Sequence, residues 1–314
     1  MDMDLRHLRY FVTVAETGHM TRAAARLGIQ QPPLSQQIRA LESELGTPLF
    51  RRHPKGVALT DPGRLLLGEA QRILADVAAL EARMARNAKG LSGTLSVGFT
   101  SSAAAHGFTP DALRACRSLY PDIEILLSEH NAAEITEAVV SRRLHCGFLR
   151  VPVARPPGLV FETLLTEPVV VAMPIDHRLA RGSAARRAPL APAALDGENL
   201  ILVRRPGAPG LYANLLAMCE AAGARPRIVA EVERMLTSLN LVAAGAGITV
   251  VPASMQGAHP HAIAYRPLRR DARLDAPITL VQRDGETNPS LATFASLARS
   301  IARRWNGEAR GARD

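Results

Sequence analysis

The sequence predicts an α/β protein in three parts: a small helical head carrying a β-hairpin, one long helix, and a two-lobed α/β body. Three observations predict it. Three short helical stripes, each stopped by a glycine, fill residues 5–46; an apolar seam at intervals of 4, 3, 4, 3 and 4 runs from 66 to 84; and from 94 onward apolar strands alternate with helical stretches. A chain of 314 residues exceeds the size at which a single core is usual, so at least two domains are expected.

Composition narrows the class. Hydrophobic residues make up 47% and charged residues 21%, which argues against extended disorder and against a fibrous repeat. No run approaches the roughly 18 to 20 apolar residues of a membrane span, and MDMDLRHLRYF interrupts its apolar residues with acids and arginines; a cytoplasmic protein without a membrane partner is expected. Cys116, Cys146 and Cys219 lie far apart with no CxxC and no histidine at metal-ligand spacing, so buried thiols are expected, with no metal and no cofactor. Lys and Arg outnumber Asp and Glu by 38 to 29, a basic balance that favours polyanions. Residues 1–65 hold nine of the basic and six of the acidic residues, a net of +3, so placement has to carry any nucleic-acid argument.

In the head, Leu5, Leu8, Phe11, Val12 and Ala15 share one helical face, and Gly18 ends that helix. Thr21 is expected to cap a second helix with Ala24, Ala25 and Leu27 inward, stopped by Gly28. Pro32 and Pro33 suit the first turn of a third, where their missing N–H groups would be unpaired anyway; Leu34, Ile38, Leu41, Glu42 and Leu45 carry it to Gly46. Two short helices joined by a tight turn form a helix-turn-helix, whose second helix offers its first residues to the major groove of double-stranded DNA. Gln31, Ser35, Gln36 and Arg39 are expected to point away from the Leu34, Ile38 and Leu41 stripe. Glutamine pairs bidentately with adenine, and serine meets bases or phosphates. Leu49 and Phe50 then begin a strand, Arg51 to Gly56 form a basic turn, and Val57 to Thr60 return. In this wing Arg52 and Lys55 sit at the tip, placed for phosphate or the minor groove, and Arg51 is a solvated edge charge. For an arbitrary helix triplet the ordinary reading is a packing module with a solvated polar face.

The string RAAARLGIQQPPLSQQIRALESELGTPLFRRHPKGVALTDPG is more specific than that. It resembles the signature of LysR-type transcriptional regulators, in which paired alanines, a leucine, Gln-Pro, a serine, Leu-Glu, Leu-Gly and Leu-Phe precede a basic wing and a Leu-Thr that opens a linker. The resemblance implies that Gln31, Pro32, Pro33, Ser35 and Gln36 form the DNA-facing start of the recognition helix, with Arg52 and Lys55 in the wing. Gln36 departs from the pattern, standing where the family often has arginine.

Thr60, Asp61 and Pro62 open a helix that meets no further proline before about Lys89. Leu66, Ala70, Ile73, Val77, Leu80 and Met84 recur at the a and d positions of a coiled coil. Such a stripe packs either on the protein's own domains or on a second copy; its place between two modules and the resemblance favour a dimerisation helix. Gly90, Ser92 and Gly93 are read as a hinge.

In the body, TLSVGF, IEILL, CGFL, VVVAM, LILV, IVAEV, ITVVP and ITLV read as strands, between helices near 109–119, 132–143, 210–222 and 236–244. The resemblance extends through TLSVGFTSSAA, ITEAVVSRRLHCGFL, EPVVVAMP and LNLVAAGAGITVVP. It implies an effector-binding domain of periplasmic-binding-protein type. The domains are then 1–60 for DNA binding, 61–90 for the linker and dimerisation helix, 91–304 for effector binding and 305–314 for a flexible tail. Lobe one is placed at 92–163 plus 267–304 and lobe two at 164–266. Ligands of open α/β sheets sit beyond the carboxyl ends of strands. Thr100, Ser101, Ser102, Asn131, Arg150, Arg204 and Thr237, with Ser238 beside it, all follow strands or open helices there, each either an effector contact or an ordinary cap or loop charge.

Enzyme signatures are not found: there is no GxSxG, Walker loop or HExxH, and AGAGI lacks a dinucleotide fingerprint. His177, His259 and His261 are expected as exposed histidines. The resemblance implies a regulator without catalysis, assembled as a homodimer or homotetramer and meeting RNA polymerase, whose small organic effector is a carboxylate, as in the branch sensing aromatic or related carboxylates. The alternative is a stand-alone cytoplasmic small-molecule-binding protein.

Overall fold

A computed structural model describes residues 3–150, 155–181, 188–203, 211–269 and 274–311, with side chains as far as 307. It divides into two units, Met1–Arg86 and Asn87–Asp314.

In the first unit α1 (Leu5–Thr17), α2 (Met20–Leu27) and α3 (Gln31–Leu45) each end on a left-handed glycine, Gly18, Gly28 and Gly46. Two details of α2 differ from expectation. His19, extended after Gly18, is its N-cap rather than Thr21, and Ala23 and Ala24 are the buried pair while Ala25 is exposed. The helix starts earlier because His19 has already turned the chain. β1 (Phe50–His53) pairs antiparallel with β2 (Gly56–Leu59), so Arg51 and Arg52 are strand residues opposite Ala58 and Val57, and the turn shrinks to Pro54 and Lys55. The Glu42 carboxylate fixes the hairpin to α3 by accepting from the N–H groups of Leu49 at 2.8 Å and Phe50 at 3.1 Å. Gly56 has φ 137°, and a Cβ there would lie 2.2 Å from the Gly18 carbonyl oxygen, so the wing's approach to the α1 terminus requires glycine.

Thr60 opens α4 (Asp61–Ala88): its hydroxyl accepts from the Gly63 N–H at 3.0 Å and donates to the Pro48 carbonyl at 2.7 Å. Each fully buried Leu or Phe contributes about 1.5–3 kcal/mol. A head with Leu8, Phe11, Leu34, Ile38, Leu41 and Leu49 as its large buried residues gains from any helix that adds to them, and the start of α4 does so. This corrects the seam: Leu66 and Ala70 belong to the head's own core, together with Leu67 and Leu74. Ile73, Leu80 and Met84 remain exposed, and Val77 is half-buried.

The second unit begins with β3 (Gly93–Phe99), followed by α5 (Ser101–Ala104), α6 (Phe108–Leu119), β4 (Ile123–Glu129), α7 (Ala132–Val140) and β5 (Cys146–Leu149). Then come β6 (Leu159–Pro174), β7 (Asn199–Val203), α8 (Leu211–Ala221), β8 (Arg227–Val232) and α9 (Met235–Ala243). It closes with β9 (Thr249–Pro252), β10 (Ile263–Pro267), β11 (Asp275–Arg283) and α10 (Pro289–Gly311). β3 pairs in parallel with β4 and β5, while β11 runs antiparallel to β5 and β6. Further along, β6 pairs antiparallel with β9 and β10, and β7 lies parallel to β8.

β6 serves two cores. Its Leu164 and Leu165 pack with Leu95, Val97, Phe148, Ile278 and Phe294, whereas Val169 to Met173 pack with Leu200, Ile201, Leu239, Val250 and Ala276. The lobes therefore exchange at Glu167–Pro168 and again at Ala276–Pro277. That moves the expected crossings at 163/164 and 266/267 toward the carboxyl end, because one strand of 16 residues spans both lobes and Pro267 still belongs to β10 of lobe two. The expected flexible tail at 305–314 is also corrected. α10 continues to Gly311, and Trp305 packs edge-on to His106 while its indole N–H donates to Asp111 at 3.2 Å.

Candidate functional site

On α3, Gln31, Pro32, Pro33, Gln36 and Arg39 are exposed, as are Arg52 and Lys55 on the hairpin. Ser35 is not. It is buried at 8% exposure, and its Oγ accepts from the Gln31 amide at 3.0 Å. The outward reading of Ser35 is thus corrected: the residue after Leu34 faces the seam between helices, and its hydroxyl orients Gln31. Gln37 is tied back to α1, its Oε1 2.7 Å from His7 Nε2.

In the body, Thr100 caps α5, its hydroxyl accepting from the Ala103 N–H at 3.3 Å and lying 3.4 Å from Ser102 Oγ. Ser102 is buried; Thr100 and Ser101 are half-buried. α5 of lobe one packs against α9 of lobe two, so the element that carries Ser101 and Ser102 lies beside the one that carries Thr237, which is exposed in the first turn of α9. Ser238 is fully buried and donates to the Met235 carbonyl at 2.7 Å.

Two expected cleft residues are spent elsewhere. Asn131 closes a capping box with Glu134, its amide oxygen accepting from the Glu134 N–H at 3.0 Å, so it is an ordinary helix cap. Arg150 is buried at 5% exposure and paired with Glu167 at 2.7 Å. Its guanidinium also donates to the Ser102 and Ala276 carbonyls and to Ser254 Oγ. Burial lowers the Arg150 pKa and Glu167 partly raises it again; the two terminal nitrogens are engaged within the protein, while the buried Nε–H has no partner among the described residues. Arg204 lies outside the described residues.

Sequence reasoning missed Glu129, Glu167, Arg234 and Ser254. Glu167 left a signal, a lone carboxylate inside LLTEPVVVAM where only a partner makes burial tolerable. Its two oxygens accept from Ser254 Oγ at 2.8 Å and Ser254 N–H at 2.6 Å. Arg234, the N-cap of α9, pairs with Glu129, the last residue of β4, at 2.7 Å.

The remaining chemistry is structural. All three cysteines are buried and free, and burial pushes the Cys146 thiol up to about 12, leaving no thiolate at neutral pH. His177 is half-buried rather than exposed, its Nε2 3.1 Å from the Glu198 carboxylate that Arg178 also pairs. His259 Nε2 lies 2.8 Å from Asn240 Oδ1, and His261 is exposed. Among the described residues no helix is long and apolar enough to cross a membrane, and no three His, Cys, Asp or Glu side chains gather as metal ligands.

Residues 5–64 match the bacterial regulatory helix-turn-helix proteins of the lysR family, and residues 88–303 match the LysR substrate binding domain. The chain belongs to the LysR family. It is 36% identical over 296 residues to the HTH-type transcriptional regulator BudR of Raoultella terrigena, covering 94% of this chain and 100% of that one. It is 35% identical over 294 residues to the HTH-type transcriptional regulator YnfL of Escherichia coli K12, covering 94% and 97%. Among solved structures, that of CbnR, a LysR family transcriptional regulator, superposes with a TM-score of 0.82 at 31% identity, covering 94% of this chain and 100% of that one. Full-length CbnR complexed with its target DNA gives 0.79 at 30% identity, covering 96% and 100%. This LysR-type protein is thus a DNA-binding transcriptional regulator with an effector-binding domain of periplasmic-binding-protein type, and the relatives it matches are regulators rather than enzymes.

Proposed function

We propose that this regulator reads a pseudo-palindromic site through Gln31, Gln36 and Arg39 of α3, with Arg52 and Lys55 of the wing on phosphate. Two copies joined through the exposed half of α4 present two recognition helices to two half-sites, and two such dimers form a tetramer. The regulating ligand is a small organic anion, a carboxylate, held between the Thr100–Ser101 corner and Thr237. The observation that supports this reading is the packing of α5 against α9, which brings the element carrying Ser101 in lobe one beside the element carrying Thr237 in lobe two. A ligand touching both lobes favours one lobe angle and shifts the population of regulator states by its difference in affinity between them.

A panel of small aromatic and aliphatic carboxylates, screened by thermal shift on the full-length protein and on its Ser101→Val variant, tests the site. Stabilisation of the wild type by a member of the panel and its loss in the variant are expected. A carboxylate that stabilised both equally would place the effector elsewhere.

A further inference from the structure

Beside the packing of α5 on α9, polar side chains among the described residues join the two lobes at an inner and an outer level. At the inner level the buried Arg150, just after β5, and the buried Glu167, on the crossing strand, form a network with the half-buried Ser254 in the turn after β9, in which each of these Glu167 contacts is 2.8 Å or shorter. The outer level includes an ion pair between the rim of lobe one and the rim of lobe two. Glu129 is fixed at the last register position of β4, beside Phe99 of β3, and Arg234 is fixed as the N-cap of α9. Their charged atoms are 2.7 Å apart, yet their side chains remain 51% and 53% exposed.

We propose that Glu129–Arg234 is a releasable latch across the cleft, and that the Arg150–Glu167–Ser254 network is the fixed pivot about which the lobes part when the latch opens. The contrast in burial carries the assignment. Parting one member of a buried, hydrogen-bonded pair strands a charge away from water, so the inner network stays closed. An exposed pair loses little when it opens, because water takes over both ions and salt already screens them. Glu129 and Arg234 also lie 105 residues apart on elements whose apolar residues are packed into separate cores, so neither can follow the other if the lobes move. The latch is a property of the fold; its regulatory meaning rests on the proposed effector cleft, because a carboxylate entering there would compete with Glu129 for Arg234.

Pulsed electron paramagnetic resonance on the full-length protein tests the latch without any effector. Nitroxides on Glu137→Cys in lobe one and Glu220→Cys in lobe two, both exposed positions, report the lobe separation, and the three native cysteines are buried and take no label. Labelled subunits are diluted with unlabelled ones so that distances within one copy dominate. Glu129→Gln and Arg234→Gln should each add a longer-distance population, and the charge exchange Glu129→Arg with Arg234→Glu should remove it. Raising salt to about 0.5 M, where the screening length falls to on the order of 4 Å, should add the same population to the wild type. Distance distributions that superpose on the wild type in both single variants, or an exchange variant that stays as open as the singles, would overturn the latch. Carboxylate binding to the same variants is read separately by thermal shift. A working latch without carboxylate binding would count against the proposed effector alone, and binding with unchanged distances against the latch alone.

Discussion

Arg150 and Glu167 form an ion pair 2.7 Å apart at the point where the chain first passes from one lobe to the other, with both side chains more than nine-tenths buried. Two charges so placed are stable only as a pair. Removing one partner leaves the other uncompensated, at about 3–5 kcal/mol. Glu167→Gln and Arg150→Met should therefore each lower the stability of the effector domain by about that much in urea titrations followed by circular dichroism. The double variant should lose clearly less than the sum. Fully additive losses would show that the two side chains act independently.

The division into head, long helix and two-lobed body was legible in sequence because glycine stops and apolar periodicity are local signals, and they set α1, α3, β5 and α9 to within two residues. The pivot was not legible. Arg150 follows CGFL as a loop charge would, and its partner lies 17 residues on, a pairing across the lobes that no local periodicity encodes. Ser35 was misjudged for a related reason: helical spacing gives a residue's angle on the helix, whereas its burial depends on how deeply the neighbouring helices cover that angle. The seam of α4 shows both sides, since its 4, 3, 4, 3, 4 spacing is real while the head takes the first two positions for its own core.

That split has a consequence for assembly. Leu80 and Met84 are 49% and 62% exposed and touch nothing in the head's core, so Leu80→Glu with Met84→Glu should leave the head folded and dissociate the oligomer. Ala70→Glu should instead unfold the head, because Ala70 has no exposed surface. Light scattering at low concentration separates the two outcomes. A Leu80 and Met84 variant that kept its wild-type mass would show that the far half of α4 does not join copies.

For DNA reading, Gln31 and Gln36 are both exposed in the first turns of α3, and Gln31 is held by Ser35. Gln36→Ala should cost about 1–3 kcal/mol on the cognate site and little on random DNA. Lys55→Ala should weaken both and reduce the slope of log affinity against log salt by about one. Equal losses from Gln36→Ala on both DNAs would remove it from base contact. An unchanged slope would remove Lys55 from phosphate contact.

Ser35→Ala should act through Gln31. It deletes a buried hydroxyl that accepts one hydrogen bond, so stability should fall by only about 0.5–1.5 kcal/mol. Under the proposed base-reading role of Gln31, discrimination between cognate and random DNA should fall as well, because a glutamine freed from its partner no longer presents its amide in one orientation. Competition binding measures this ratio directly. Unchanged discrimination would mean that the Gln31 bond serves packing alone.

Acid should weaken the effector domain through His106. This ring is buried at 8% exposure against Trp305, and its Nδ1 accepts from the Phe108 N–H at 3.0 Å. Burial lowers its pKa; Glu167 partly raises it again, and Arg150 lowers it further. The unfolded chain titrates this histidine at about 6.5. Above that value the ring is neutral in both states and costs nothing. As pH falls through it, the unfolded state takes up a proton that the folded state refuses, so stability drops until the lower folded-state value is passed. Other groups titrate in the same range, so the contribution is isolated by comparison with His106→Gln, whose side chain carries no such proton. The stability lost on acidification should be smaller in His106→Gln than in the wild type. Trp305→Ala should lie between them, because it admits water to the ring and relieves part of the burial. Equal acid losses in the wild type and His106→Gln would mean that the buried imidazole does not set the acid limit of this domain.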